Sequence, residues 1–432
     1  MTDHDPDTID RAIDDVDPER LRTDVETNAE FGRIATDAGR GRTVFPGTEA
    51  NRAARERLLE RFDDAGLETR VDSVGNVVGR YAPAGVDTDA PAVAAGSHLD
   101  SVPRGGIFDG PLGVYGALEA VRAIDGAGLA LERPIEVVSF TEEEGHRFTD
   151  GVLGSSVAAG TMSAARALDT ADADGVTLRE ALEGIGFHGE GTLDASAWDA
   201  WFEVHVEQGR TLERAGVPVG VVTDIAGTIR CQVTVEGEAN HSGTTSMDER
   251  VDALVPAAEL VTELESTAVE LSAASGNTVA TVGDLRVEPG ASNVIPGRAT
   301  LALDIRDTEY ANMTAIRERV ESSLARFERE RGVETTIEGS YDIEPIGMSE
   351  RCQRAFRRGA ERAGAGSVSL HSGAGHDTMQ VARATDAGLL FVRSRDGISH
   401  SPKEWTDWDV CAAGVRTLTG AVALAARDER HS

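Results

Sequence analysis

Hydrophobic and polar positions along the chain alternate with two periods, which together predict a succession of strands and helices. The stretch Thr48–Leu67 places its apolar residues on one helical stripe, and Val71–Val78 then alternates in the manner of a half-buried strand. Further predicted strands are the short apolar runs 91–97, 134–140 and 201–206. Continuous apolar strands separated by helices are typical of an α/β fold with a mainly parallel sheet flanked by helices.

From about Gly220 to Ile343 the order of elements changes to a self-contained βαββαβ unit. The predicted elements are strand Thr228–Glu236, helix Arg250–Leu271, strands Thr278–Val287 and Ala299–Ile305, helix Tyr310–Arg331 and strand Glu334–Ile343. Strand–helix alternation resumes afterwards and ends in a helix over Cys411–Ala426. We therefore predict a discontinuous α/β domain, residues 18–219 and 344–432, into which a smaller domain, residues 220–343, is inserted.

The N-terminal segment, residues 1–17, is strongly acidic and offers little to bury, so we expect a flexible tail there. It lacks the charged-then-apolar layout of a secretory signal. No segment approaches the roughly 18 consecutive apolar residues of a membrane helix. These observations predict a cytoplasmic protein that does not span a membrane.

The charge balance is unusual, because 75 acidic residues against 42 basic ones give a net charge of −33, and Lys403 is the one lysine. Nucleic acid is excluded as a partner by electrostatic repulsion. An acidic interaction protein would also carry such a balance, but here the acidic residues are spread along the whole chain. This distribution favours a halophilic protein whose surface stays hydrated in concentrated salt.

Polar clusters follow the predicted strands at their C-terminal ends. They are His98-Leu99-Asp100, the triplet 142–144 and His205. Ligands of open α/β sheets bind outside the carboxyl ends of the strands, so we expect these side chains to converge. Together with Asp109 they form a mixed imidazole and carboxylate set, which suits Zn²⁺ or a related divalent ion. The three cysteines are widely separated and form no C-x-x-C, so no thiolate zinc site is predicted.

Several of these residues have an expected role in a metal centre. The carboxylate of Asp100 can accept the second N–H of His98, and Asp109, in a glycine-rich turn, can bridge two ions. In the pair Glu143-Glu144 one carboxylate would bind metal while its neighbour transfers protons. Composition and spacing alone leave the alternative open that the histidines are structural and the acidic triplet is a solvated surface.

Several sequence blocks give more specific information than these clusters, because they are characteristic and occur along the chain in a fixed order. The blocks are GSHLDSVPRGGIFDGPLGV (96–114), FTEEEGHRF (140–148), FEVHVEQGRTLE (202–213), GEANHSGTTSM (237–247), ASNVIPGRATLALDIRD (291–307), SGAGHDTM (372–379) and DGISHSPKEWT (396–406). Together they closely resemble the hydantoinase/carbamoylase-type amidases. That family includes N-carbamoyl-L-amino acid hydrolases, allantoate amidohydrolases and β-ureidopropionases, within the wider aminoacylase and carboxypeptidase-like dinuclear zinc peptidases. The resemblance covers residues from about 20 to 425.

The resemblance implies a centre of two divalent metal ions, Zn²⁺ first, with Mn²⁺, Co²⁺ or Ni²⁺ also accepted by such ligands. It implies Glu143 as general base. The implied ligands are His98, Asp109 and His205 for one ion, and the shared Asp109, Glu144 and His400 for the other.

The resemblance also assigns residues outside the metal centre. The inserted domain would be a ferredoxin-like dimerisation domain of a homodimer, whose His241 reaches the active site of the partner subunit. Arg306 matches the family arginine that binds the substrate carboxylate, with Asn293 assisting, and His376 matches another histidine of the substrate site.

The implied reaction is hydrolysis of an N-carbamoyl-L-amino acid, a small ureido compound, to the amino acid, CO₂ and ammonia. Allantoate is the closest alternative substrate, followed by N-carbamoyl-β-alanine. An aminoacylase or dipeptidase is disfavoured because His205 stands where peptide-cleaving relatives usually have an acid. A non-catalytic binding protein is disfavoured because Glu143 and every ligand are retained. Thr228 and Ser246 depart from the family pattern, so we expect the substrate pocket to differ.

We predict that the protein is less stable in low salt than in molar KCl. Repulsion among the excess carboxylates is screened within roughly 3 Å at 1 M salt. The free energy of unfolding, measured across a KCl series, checks this expectation. A parallel sucrose series separates charge screening from general osmolyte stabilisation. Equal stability in low and molar KCl would contradict a halophilic origin of the charge balance.

Overall fold

The computed structural model describes residues 6–427, and the chain divides into two compact units. The first unit contains the residues as far as Thr223, residues 347–370 and those from His376 onward. The second contains residues 224–346 and 371–375. The predicted bounds of the inserted domain, 220 and 343, differ slightly from this division, in which residues 220–223 belong to the first unit and residues 344–346 to the second. The return of residues 371–375 to the second unit is a feature that the sequence analysis missed.

The described residues form both helices and strands. The helices are α1 (Pro6–Asp14), α2 (Pro18–Asn28), α3 (Glu49–Asp64), α4 (Pro111–Gly126), α5 (Leu153–Ala158), α6 (Ala164–Asp169), α7 (Leu178–Ile185), α8 (Thr211–Ala215), α9 (Leu254–Ser275), α10 (Tyr310–Arg331), α11 (Glu350–Arg362), α12 (Asp377–Val381) and α13 (Trp408–Ala426). The strands are β1 (Glu68–Val71), β2 (Val77–Tyr81), β3 (Val93–His98), β4 (Ile135–Phe140), β5 (Ala200–Val206), β6 (Val219–Ile225), β7 (Gly227–Glu236), β8 (Val279–Glu288), β9 (Arg298–Asp307), β10 (Glu334–Ile343), β11 (Ile346–Gly347), β12 (Ser367–Ser372) and β13 (Ala387–Val392). Single 3₁₀ turns occur at Ala195–Ala197, Met247–Glu249 and Arg395–Gly397.

The larger sheet has the strand order β1-β2-β4-β3-β5-β13-β6-β11, with β12 paired to β6. Its centre is parallel, since β3 pairs in parallel with β4 and β5, and β5 with β13. Antiparallel pairs lie outside this centre, between β1 and β2, β2 and β4, and β13 and β6. The four central strands are buried along their whole length, which is why they read as continuous apolar runs. The expected α/β class with a mainly parallel sheet is confirmed.

Helix α13 is long and strongly apolar. Its 18-residue window has a mean hydropathy of 1.3, enough by length and composition to cross a membrane, which the search for apolar runs did not detect. However, 83% of that window is buried, and the helix packs against α11, α4 and α1. The apolar side chains of α13 are therefore buried in the core of this unit.

The expected flexible tail at residues 1–17 is wrong for the part of it that the structure describes. Residues from Pro6 form α1, and the side chains of Ile9, Ile13 and Val16 are buried in the main core. Asp17 caps α2 by accepting two backbone N–H groups, and its own N–H donates to Glu119 at 2.8 Å. Ile9 and Ile13 are four positions apart and share one face of α1, so a charged segment can still dock by that face. Residues 1–5 lie outside the described residues.

The second unit has a four-stranded antiparallel sheet with the order β10-β7-β9-β8. With α9 and α10 it follows the predicted βαββαβ sequence, and this strand order is that of a ferredoxin-like fold. Helix α10 and strand β10 have the predicted bounds. Helix α9 begins at Leu254, later than the expected Arg250, because the backbone turns in a 3₁₀ segment at Met247–Glu249 and Asp252 accepts the N–H of Leu254.

Candidate metal centre

The expected ligands of the first unit lie at one edge of the larger sheet. His98 is the last residue of β3, Glu143 and Glu144 follow the end of β4, and His205 is near the end of β5. Because β4, β3 and β5 are parallel neighbours, their carboxyl ends meet at the same edge. His400 comes from the loop after β13, the strand that pairs with β5. The structure thus brings together ligands that are far apart in sequence.

The carboxylate of Asp109 lies between two groups of ligands. Its Oδ1 atom is 3.1 Å from Nε2 of His205 and 3.4 Å from Nε2 of His98. Its Oδ2 atom is 3.6 Å from Nε2 of His400, which is itself 3.5 Å from Oε2 of Glu144. Each oxygen of Asp109 therefore faces a different set of side chains, as a carboxylate shared by two ions would do.

The donor set fits a dinuclear centre. Ligand atoms of His98, Asp109 and His205 lie within 4.8 Å of one another, and so do those of Asp109, Glu144 and His400. Nε2 of His98 is buried and has no hydrogen-bond partner among the described residues. Nitrogen and oxygen donors a few ångströms apart are what a first-row divalent ion requires. The second group is more open, because the His400 side chain is 51% exposed.

Electrostatics at this edge are dominated by buried carboxylates. Burial raises the pKa of Glu143 and of Glu144 well above the usual carboxyl range, and neighbouring carboxylates add to the increase. Burial opposes protonation of His205, but Asp109 outweighs it and raises the pKa of that imidazole to about 9. The pKa of His98 is likewise raised well above its usual value, against burial, chiefly by Glu143. Such a site attracts positive charge, which divalent ions supply.

The role expected of Asp100 needs a correction. Its carboxylate Oδ1 lies 3.6 Å from Nδ1 of His98, whereas its main-chain carbonyl oxygen is nearer, at 3.3 Å. The carboxylate instead accepts the backbone N–H groups of Glu143 at 3.4 Å and Glu144 at 3.1 Å. Asp100 therefore orients the imidazole through its backbone and the Glu143-Glu144 segment through its side chain.

The turn that carries Asp109 requires a glycine at the next position. Gly110 has a φ of +80°, and a Cβ atom placed on it would lie 2.6 Å from Cε1 and Nδ1 of the His98 ring. Helix α4 then begins with Pro111. The backbone can pass this close to His98 only without a side chain, so Gly110 lets two ligands approach each other.

Three residues around Asp109 had no predicted role. Ser399 Oγ lies 2.8 Å from Asp109 Oδ2 and 3.0 Å from Glu404 Oε2. Glu404 also accepts the backbone N–H groups of Phe108 and Asp109, and Gln208 donates to Asp109 Oδ2 at 3.2 Å. All three lie in the motif blocks of the chain, but only their burial and contacts reveal the support that they give to Asp109.

His376 belongs to the same unit and lies beside the first group of ligands. Its ring is 4.5 Å from that of His205, centroid to centroid, in a T-shaped contact. Burial lowers its pKa well below the usual value, and the nearby His205 adds to the decrease. The imidazole is therefore neutral, and its Nε2 has no partner among the described residues.

The other expected site residues belong to the second unit. His241 forms an isolated β-bridge with Val294, and Asn293 accepts the N–H of Ser242 through its carbonyl. These two exposed side chains are thus neighbours along adjacent segments. Arg306, on β9, donates Nε to Asp304 at 2.7 Å and Nη1 to the carbonyl of residue 373 at 2.9 Å.

The chain is similar to known proteins over most of its length. The family model "Peptidase family M20/M25/M40" matches residues 94–424. An N-carbamoyl-L-amino acid amidohydrolase of Geobacillus stearothermophilus is 39% identical, over 93% of this chain and 97% of the relative. An allantoate amidohydrolase of Bacillus subtilis is 36% identical, over 91% and 94%. The crystal structure of a hydantoinase/carbamoylase family amidase from Burkholderia multivorans is similar with a TM-score of 0.88 and 35% identity, over 96% and 98% of the two chains.

Replacing Gly110 by alanine should weaken metal binding by about 10- to 100-fold, the loss that is usual when ligand orientation is disturbed. The added Cβ would displace the His98 ring or the turn at Asp109. Equilibrium dialysis with Zn²⁺ measures the effect. Gly126→Ala, in the last turn of the same helix, is the matched control, because its nearest contact would be Asp15 Oδ2 at 3.8 Å. Wild-type affinity in the Gly110 variant would contradict this view of the turn.

Proposed function

We propose a reaction for this chain, which belongs to the M20/M25/M40 peptidase family and, within it, to the hydantoinase/carbamoylase-type amidases. It is a hydrolase of carbon–nitrogen bonds. The proposed substrates are N-carbamoyl-L-amino acids. One substrate and one water give the amino acid, CO₂ and ammonia. The observation that carries the proposal is the pair of ligand groups that share Asp109, with Glu143 beside them.

The first ion would be held by His98, Asp109 and His205, and the second by Asp109, Glu144 and His400. When bound, divalent ions supply Lewis acidity, which polarises a carbonyl and makes water a nucleophile near neutral pH. Zn²⁺ is the proposed metal, and Mn²⁺, Co²⁺ and Ni²⁺ suit the same ligands.

Glu143 is the proposed general base. Its Oε2 lies 3.6 Å from Nε2 of His98, and Glu143 is not a member of either group that contains Asp109. Its backbone is held by the carboxylate of Asp100, so its side chain starts from a restrained position. We propose that this carboxylate takes a proton from the attacking water and delivers it to the leaving nitrogen.

Arg306 is the proposed partner of the substrate carboxylate. Asp304 already receives the Nε–Nη2 edge of the guanidinium, at 2.7 and 3.2 Å. A substrate carboxylate would therefore meet the remaining hydrogens of Nη1 and Nη2, in a position that Asp304 fixes. Thr228 lies directly opposite Arg306 on the neighbouring strand, so its departure from the family pattern falls next to this arginine. Asn293 is proposed to assist, and His376 to contact the substrate in the metal-binding unit.

His241 is proposed to stabilise the oxyanion in the active site of a partner subunit, which makes the enzyme a homodimer. Its Nδ1 accepts the N–H of Gly243 at 3.0 Å, so the proton of the neutral ring lies on Nε2. The exposed Nε2–H is then a donor for a developing negative charge.

Allantoate remains the second candidate substrate, because similar relatives carry both names. Allantoate also combines a ureido group with a carboxylate, so the proposed roles of Glu143 and Arg306 are the same for either compound. N-carbamoyl-β-alanine and dipeptides are weaker candidates, and dipeptides are disfavoured because His205 stands where peptide-cleaving relatives usually have an acid.

The proposal is tested by ammonia release from purified protein in molar KCl with added divalent metal. We expect turnover of N-carbamoyl-L-amino acids above that of allantoate, N-carbamoyl-β-alanine and dipeptides. The variant Glu143→Gln should bind both ions but lose activity by a factor of about 10² to 10⁴, because it lacks the proton carrier. Preference for dipeptides would refute the proposed substrate, and near-normal activity of the variant would refute the base.

Mixing two inactive variants tests the shared active site. Glu143→Gln and His241→Ala homodimers should each be nearly inactive. In a mixed dimer, one active site combines the intact Glu143 of one subunit with the intact His241 of the other. Unfolding and refolding the variants together should therefore restore activity, whereas each variant refolded alone is the control. Absence of recovery from mixtures that contain mixed dimers would contradict a contribution of His241 across subunits.

A further inference from the structure

Arg42 is an arginine in an unusual environment, because its side chain is completely buried behind the metal-binding edge. Taking a guanidinium out of water costs several kcal/mol unless partners compensate. No carboxylate lies within 4.0 Å of Arg42 to form an ion pair in residues 6–427, the part of the chain that the structure describes. The charge of Arg42 is therefore compensated by contacts other than a direct ion pair.

The guanidinium of Arg42 donates to backbone carbonyls of two separate loops. Nη1 donates to the oxygen of Leu99 at 3.0 Å, and Nη2 to the oxygens of Asp100 at 3.1 Å and Asp109 at 3.4 Å. One loop follows His98, and the other carries the shared carboxylate of Asp109. A rigid planar fork with several donors can hold three acceptors at fixed spacing, which a lysine cannot do.

One of these contacts passes directly to a metal ligand. The carbonyl oxygen of Asp100 that accepts from Arg42 is also the nearest partner of Nδ1 of His98, at 3.3 Å. An imidazole that donates Nδ1–H to this oxygen presents Nε2 as the ligand atom, toward Asp109 Oδ1. Arg42 therefore stands one hydrogen bond behind His98 and holds the backbone of Asp109 at the same time.

The charge of Arg42 has a second effect on the same cluster. It interacts electrostatically with the carboxylates of Asp100, Asp109, Glu144 and Glu404. A buried cation behind these groups offsets part of their mutual repulsion before any ion arrives. The comparable buried arginine, Arg55, donates to Thr141 Oγ1, Asn51 and the carbonyl of residue 75, and holds neither of the two loops.

We propose that Arg42 is a positioning residue of the metal centre: its guanidinium ties the loop after His98 to the loop of Asp109 and sets the spacing of these two ligands. The inference deepens the proposed function and rests on it, since it concerns the metal centre assigned there. It predicts that Arg42 acts on metal affinity and on ligand geometry and not only on folding.

The experiment uses the full chain with Arg42→Lys, which keeps a cation but loses the fork, and Arg42→Met, which removes the charge. Zn²⁺ affinity and stoichiometry are measured by dialysis, and ligand geometry by the visible absorption of Co²⁺-loaded protein. We expect both variants to bind about 10- to 100-fold more weakly, with an altered Co²⁺ spectrum. The control variant is Arg133→Lys. Arg133 is a buried arginine that precedes the start of β4, at the other end of that strand from Glu143, and its guanidinium lies 3.6 Å from the carboxylate of Asp199.

The outcomes are distinguishable. Wild-type protein that binds fewer than two ions would refute the proposed function itself. If the wild type binds two ions and a folded Arg42 variant keeps its affinity and its Co²⁺ spectrum, the inference on Arg42 is refuted and the proposed function stands. Equal loss of affinity in Arg133→Lys would also refute it, because the effect would then follow general stability. Should Arg42→Met fail to fold, Arg42→Lys alone decides.

Discussion

Carboxylates crowd the sheet edge where β3, β4 and β5 end, and their mutual repulsion is the constraint that the surrounding structure must satisfy. Several of these negative groups have positive or polar neighbours. Asp109 lies between imidazoles, the carboxylate of Asp100 accepts two backbone N–H groups, and Glu404 accepts two more. Arg42 adds a buried cation behind them. The sheet brings the candidate ligands together, and these contacts hold a cluster of donor atoms that fits a metal site.

The fold could be predicted wherever buried positions recur along the sequence with the period of a helix or of a strand. The bounds of α10 and β10 follow from such a period, and the candidate ligands could be proposed because motif blocks surround them. Helix α1 was missed, although Ile9, Ile13 and Val16 bear the spacing of a buried face, because the acidity of the segment outweighed that signal. The contribution of Arg42 has no counterpart in composition or spacing, since it depends on complete burial and on backbone acceptors distant in the chain.

The proposed recognition of the substrate carboxylate would depend on a different physical device from the proposed metal binding. Arg306 is restrained in its own unit by Asp304 and by the carbonyl of residue 373, which lies in a short segment that leaves the first unit and returns to it at His376. A guanidinium held in this way loses little conformational freedom when it binds a carboxylate. Thr228, its cross-strand neighbour, is the position where a change of side chain would alter the surroundings of Arg306, whereas the candidate metal ligands lie in the other unit.

The buried α13 has a consequence for how the protein is made. It contributes to the same core as α1, so the first and last described helices complete one unit together. During translation that core stays unfinished until the C-terminal residues have left the ribosome. The second unit is almost continuous in sequence and is largely synthesised before α13, and domains generally fold as units in the order of their synthesis. A nascent chain stalled before Trp408 would therefore expose the apolar surface that α13 normally covers.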